Sequence, residues 1–181
     1  GYKEAKIYSN GKVIDGLGGG ICQLSSTLYN SVFSANLDIT ERHSHQFLTS
    51  YVKEGRDATV VYGVKDFKFK NNRSFPIKIE TKVNSGVVTC AIYGIKEEPL
   101  YDVSFDIEIV SSEEPDIKYE YDSSLAPDEQ KIKQSGSNAM TVNVYKVVKL
   151  DGSIKSKTFV YQDIYKSLDK IVLKSYWQNR F

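Results

Sequence analysis

Cys22 follows three consecutive glycines, Gly18, Gly19 and Gly20, and stands where a helical repeat of apolar residues begins. A helix start leaves several amide N–H groups unpaired and presents a positive dipole end. Both favour a thiolate over a thiol, so a cysteine there has a lowered pKa. The glycines open backbone angles closed to other residues and let the main chain approach a ligand. The same amides can hold the oxyanion formed when a thiolate attacks a carbonyl. The stretch GLGGGICQLSSTLYN therefore contains a nucleophile, an activating field and oxyanion donors. The structural alternative is a tight glycine turn with Cys22 filling a gap beneath the helix.

A nucleophile needs a base. The chain has two histidines, His43 and His45, both in ERHSHQF shortly after the helix. In a strand they point to one face, and a strand running back beside the helix brings that face to Cys22. Asp57, Glu41 and Asp38 are the nearest acids in sequence to orient an imidazole. Asp57 is preferred because it opens the strand pattern DATVVYG after the EGR turn, although a turn residue satisfying local backbone fits it equally. Cys22, His43 and His45 are also the ligand types of a zinc site with an open fourth position. Against metal, a Gly-rich helix start is unnecessary for it, and we expect neither metal nor cofactor. The segment lacks the Gly-Lys-Ser/Thr ending of a P-loop and the spacing of the dinucleotide fingerprint. Cys90 alternates with Val88 and Ile92 in VVTCAIYG and reads as a small core residue; whether the two cysteines pair is left open.

The elements that must position these groups fall in two halves. In residues 1–94, Leu24, Leu28, Val32 and Ala35 give one apolar stripe over a helix at about 22–36. Strand patterns follow in ERHSHQFLTSYV, DATVVYG and DFKFKNN, and then a hairpin, PIKIETKV and VVTCAIYG, turning at Asn84-Ser85-Gly86. Residues 95–101, with Pro99, read as a linker. Residues 102–181 are nearly all strand pattern, with a second hairpin at Asp151-Gly152. This half has no His and no Cys. The expected class is α+β: one main helix on an antiparallel strand-rich sheet, then an elongated mostly-β domain. With 24 basic against 23 acidic residues and scattered lysines, no nucleic-acid partner is expected. No apolar run spans a bilayer, and a chain starting at Gly1 reads as a piece of a longer protein.

GGGICQ-x-S-x-TLYN, ERH-x-H and DFKFKNNRSFPIKIE, in this order and spacing, resemble the VanW domain of bacterial envelope proteins over about residues 2–94. The family pattern usually begins some twenty residues earlier. The resemblance implies peptidoglycan L,D-transpeptidase activity outside the membrane of Gram-positive bacteria, in a protein anchored at its N-terminus. Such an enzyme acts on stem peptides, releasing a terminal D-Ala and making 3-3 crosslinks through a cysteine thioester. Carried onto this chain, Cys22 is the nucleophile, His45 or His43 the base, and the backbone of Gly19, Gly20, Ile21 and Gln23 the oxyanion hole. Arg42, Tyr29 and Tyr51, in the same segments, are the candidate substrate contacts. Hydrolysis by the same site and a non-catalytic wall-binding protein are the alternatives. The second half resembles, more weakly, the five-glycine domain, from IKYEYDSS through KIKQSGSN to DKIVLKS. That resemblance implies binding of envelope polysaccharide or spacing. Tyr119, Tyr121, Tyr145, Tyr161 and Tyr165 could stack on sugars, but strand packing is the preferred reading.

Overall fold

A computed structural model describes residues 4–9 and 12–176; the remaining positions of the two expected stretches, 1–3, 10–11 and 177–181, lie outside it. Strands β1 (Glu4–Ser9) and β2 (Lys12–Leu17) form an antiparallel ribbon leading into the glycine turn. Helix α1 (Ile21–Ser34) follows, then β3 (Asp38–Glu41), β4 (Lys68–Lys70), β5 (Lys78–Asn84) and β6 (Val87–Tyr93). The second half runs β7 (Asp102–Glu113), β8 (Ile117–Asp122), β9 (Gln130–Gln134), β10 (Ala139–Leu150), β11 (Ser153–Tyr165) and β12 (Lys170–Ser175).

The class is α+β, with one helix among the described residues. The strands beside it form three two-stranded ribbons, β1–β2, β3–β4 and β5–β6, instead of the single sheet expected. The second half holds two three-stranded sheets, ordered β11–β10–β7 and β8–β12–β9; β8 and β12 are parallel and the other pairs antiparallel. Both expected hairpins turn on two residues at positive φ, Ser85-Gly86 (49° and 78°) and Asp151-Gly152 (52° and 76°). That backbone matches the right-handed twist of the flanking strands. Residues 95–101 carry no strand or helix.

The helix buries a face turned partly away from the apolar stripe, sharing only Val32 with it. Leu24 is 41% exposed, while Ser25, Ser26, Tyr29, Val32 and Phe33 are buried. The cause is the segment 55–60, which lies along α1 and takes its backbone partners from helix side chains. Ser25 Oγ donates to Ala58 O at 2.6 Å, Ala58 N donates to Ser26 Oγ at 2.9 Å, and Asn30 Nδ2 donates to Arg56 O at 2.7 Å. These bonds satisfy peptide groups that a sheet would otherwise pair. DATVVYG is accordingly no strand, apart from a bridge between Val61 and Lys65.

The core draws on both halves. Tyr29, Phe33 and Ala58 pack with Val103 of β7, and Val142 and Val144 of β10 with Tyr165 of β11; Phe105 and Tyr161 touch both groups. Phe33 stacks on Phe105 with ring centres 3.7 Å apart. Gly55 lies tight against β10 and β7. At φ +68°, a Cβ there would sit 2.7 Å from Val144 Cγ2 and 3.1 Å from Ile107 Cδ1. Gly55→Ala combines left-handed strain with overpacking, and about 2–4 kcal/mol of stability should be lost. A urea midpoint that does not move would contradict this.

Candidate active site

Gly18 and Gly20, at φ 87° and 95°, turn the chain from β2 into α1, with Gly20 as a left-handed N-cap. No side chain other than glycine takes these angles cheaply. A Cβ on Gly20 would meet none of the described residues within 4 Å. Among the expected oxyanion donors, the Ile21 amide is already bonded to Gly18 O at 3.2 Å. It is thereby withdrawn from that role. The amides of Cys22 and Gln23, in the helix's first turn, have no acceptor within the helix.

Cys22 is half-buried and free of any disulfide, as is Cys90. Its Sγ lies 3.5 Å from Thr59 Oγ1 and donates to Val60 O at 3.6 Å, so the segment along the helix also forms the wall beside the thiol. Burial pushes the thiol up, but the neighbouring His45 imidazolium and the Thr59 hydroxyl outweigh it and bring Cys22 down to about 7.

His45 is held at both ends. Its Nδ1 lies 2.6 Å from Asp57 Oδ2, and its backbone N–H donates to the same oxygen at 2.6 Å. A carboxylate only accepts, so Nδ1 carries a proton and Nε2 is the basic nitrogen. In that state the Tyr51 hydroxyl donates to Nε2 at 3.0 Å. Burial pulls the imidazolium down, yet the bond to Asp57 and the proximity of the Cys22 thiolate raise it to about 9.

Asp57 is 2% exposed and accepts four hydrogen bonds, the two from His45, one from Arg42 Nη2 at 2.9 Å and one from the Tyr165 hydroxyl at 2.6 Å. Burial opposes its charge, but these donors hold it below the usual carboxylate range. Arg42 also donates from Nε to the Asp57 carbonyl at 2.6 Å and from Nη1 to Asp163 Oδ1 at 2.5 Å. Its guanidinium sits 4.4 Å from the ring centre of Tyr161.

The structure thus brings Cys22, His45 and Asp57 together, with Tyr51 at the imidazole's outer edge. It leaves His43 out. His43 Nε2 pairs with Glu41 Oε1 at 3.1 Å, and Glu41 is further tied to Lys68 Nζ at 2.7 Å. The same-face expectation fails because β3 stops at Glu41, and residues 42–45 do not continue its alternation. His43 therefore cannot join Cys22 and His45 around one metal ion. Glu41 is engaged here, and Asp38 lies at the far end of β3, paired across to Lys70.

Two expected substrate contacts are corrected. Tyr29 is fully buried, with its hydroxyl bonded to Tyr161, and Arg42 has 6% of its side chain exposed. Both are interior to the site's support. Tyr51, 39% exposed, keeps an outward position. Thr59, Asp163, Tyr161 and Tyr165 are the site residues that the sequence reading missed. The spacing Asp-x-Tyr puts Asp163 and Tyr165 on one strand face, but nothing local says that this face is inward.

Comparison with known proteins follows the same division. The family described as VanW like protein matches residues 1–93, and the G5 domain matches residues 107–174. The uncharacterized protein YoaR of Bacillus subtilis (strain 168) is 47% identical over 93 residues, which are 51% of this chain and 31% of YoaR. The chain thus spans about a third of that relative's length. Among solved structures, an IgA1 protease G5 domain is 15% identical, covering 43% of this chain and 94% of its own, at a TM-score of 0.26. HP0197-G5 is 20% identical, covering 41% and 95%, at a TM-score of 0.22. A VanW-like domain followed by a G5 domain marks a protein associated with the cell wall, in the cell envelope. Among the described residues no helix is long and apolar enough to cross a membrane. With its VanW match covering 93 residues, half of its length, the chain belongs to the VanW-like protein family.

Proposed function

We propose that this is a wall-binding envelope protein whose first half carries a cysteine acyl-transfer site for peptidoglycan stem peptides. The binding part is the better supported by kinship, since a G5 domain is a binding module and neither family match speaks of chemistry. The exposed tyrosines Tyr119 and Tyr121 on β8 suit stacking on a polysaccharide; Tyr161 and Tyr165 are packed inward and do not. Stem peptides and wall polysaccharide are accordingly proposed partners.

The catalytic part rests on one observation: a single imidazole beside Cys22 has its Nδ1 fixed on a buried carboxylate. That is the arrangement of nucleophile, base and orienting acid. In the proposed reaction the Cys22 thiolate attacks the carbonyl carbon before a terminal D-Ala. The amides of Cys22 and Gln23 take the oxyanion. The carbon–nitrogen bond breaks as the His45 imidazolium gives its proton to the leaving D-Ala amine, and a thioester remains on Sγ. The amine of a second stem peptide, its proton taken by His45 Nε2, then attacks the thioester and releases the thiolate. With water in place of the amine the same site hydrolyses.

The test is mass spectrometry of a disaccharide-tetrapeptide muropeptide after incubation with the protein and with Cys22→Ala. A dimer lighter by one D-Ala, reduced at least about 10³-fold in the variant, is the expected result. Monomer lacking D-Ala assigns the hydrolytic reaction. If neither protein makes product while both sediment equally with purified walls, binding without chemistry is the function.

A further inference from the structure

Asp57 does not owe its position to the first half alone. Two of the groups that hold it and Arg42 come from the end of β11, in the stretch matching the G5 domain. Asp163 is 5% exposed and Tyr165 2%, while Ile164 between them is 65% exposed. Tyr161 and Tyr165 share that inward face and pack in the core, so Asp163 is carried in between two tyrosines. Turning a carboxylate inward and an isoleucine outward is costly unless the carboxylate is fully paired. Here it is paired, with Arg42 Nη1 at 2.5 Å. The Tyr165 hydroxyl donates to Asp57 Oδ1 at 2.6 Å and accepts the Gly55 N–H at 2.8 Å.

We propose that Asp163 and Tyr165 are positioning residues of the cysteine site, so that the second half of the chain is a working part of the first half's chemistry. This rests on the nucleophile reading of Cys22. The charges that face the site are Arg42, Asp57, Asp163 and His45, and they sum to zero when the imidazole is protonated. Without the Asp163 charge the full positive charge of Arg42 falls on Asp57, and less negative potential is left to hold a proton on His45. Without the Tyr165 hydroxyl, Oδ1 loses its shortest donor and the carboxylate is free to swing from the imidazole toward the guanidinium. Either change weakens the imidazolium that favours the Cys22 thiolate.

The test is the pH profile of iodoacetamide alkylation, followed by peptide mass spectrometry so that Cys90 is read separately. It compares the full chain with Asp163→Asn, Tyr165→Phe and Val172→Ala. The last removes buried volume from β12, away from the site, and serves as a control for lost stability. At pH 7, with the parent midpoint at about 7, the Cys22 rate should fall about fivefold in Asp163→Asn and about twofold or more in Tyr165→Phe, corresponding to roughly one and half a pH unit in the midpoint. Val172→Ala should melt earlier with an unchanged Cys22 profile. A low midpoint in the parent that neither site variant moves overturns the inference and leaves the nucleophile reading standing. So does a Val172→Ala profile that shifts as theirs do. A parent Cys22 that titrates like an ordinary thiol overturns both.

Discussion

Replacing His45 with glutamine is expected to lower acyl transfer by about 10²–10⁴-fold and to change the shape of its pH dependence. In the unaltered protein Cys22 is deprotonated above about 7 and His45 stays protonated below about 9. Between those values the pair is thiolate and imidazolium, which is the form that both attacks a carbonyl and protonates the leaving amine. The rate should therefore rise through the lower value and fall through the upper one, each value belonging to the coupled pair. Glutamine keeps a hydrogen-bonding side chain but removes the titrating ring. The thiol then returns toward its ordinary range near 8.5, moving the rising limb up, and the falling limb assigned to imidazolium disappears. Measuring kcat/KM against pH for both proteins checks each limb separately. A variant with an unmoved rising limb would show that His45 does not set the Cys22 thiolate.

The largest effect on stability is expected from Arg42→Met. Methionine fills much of the volume but leaves Asp57 and Asp163, buried at 2% and 5%, without their shared countercharge. Breaking one side of a buried ion pair in this way costs about 3–5 kcal/mol, because the partner charges stay desolvated. The loss should depend on pH with a definite sign. Asp57 has its folded pKa depressed below the ordinary 3.8, so its contribution is present above that value and is lost as pH falls through the folded one. The gap between the two proteins in urea unfolding should be full at neutral pH and narrow in acid, where the unpaired carboxylates of the variant take up protons. Adding Asp163→Asn to Arg42→Met should recover part of the loss, since Asp163 is the carboxylate left without a countercharge while Asp57 keeps His45. An Arg42→Met protein as stable as the parent at pH 7 would mean that the carboxylates are not buried as charges.

Much of the local structure is written in local residues. The triglycine turn, the helix start at Cys22 and the two hairpins follow from side chains within a few positions of one another, and all are present. What escapes a local reading is what long-range packing decides. Leu24 and Leu28 look like the helix's inner stripe, yet Ser25 and Ser26 face inward because the segment carrying Ala58 and Thr59 needs hydrogen-bond partners there. His43 and His45 look equivalent until β3 ends between Glu41 and Arg42 and their directions part. Arg42 and Tyr29 carry groups that suit a ligand, but whether such groups face outward depends on which strand covers them. At Asp163 and Tyr165 the period-two pattern does not decide the face, since Tyr161 and Tyr165 lie on one side of the strand and Val160 and Ile164 on the other. The grouping of Cys22 with a histidine and Asp57 was legible in the sequence; the residues that support Asp57 were not.

The distance along the chain between Arg42 and Asp163, 121 residues, has a bearing on how the protein is made. During synthesis Cys22 and His45 leave the ribosome early, and the strand that braces Asp57 leaves near the end of this stretch. Until β11 docks, the carboxylate cannot collect its four donors, and closing so long a loop is slow compared with forming the helix or a hairpin. On the proposed reading, the Cys22 thiolate is less favoured until then than in the complete chain. On the same reading, full reactivity at Cys22 waits for β11 to dock, long after its own segment has been made.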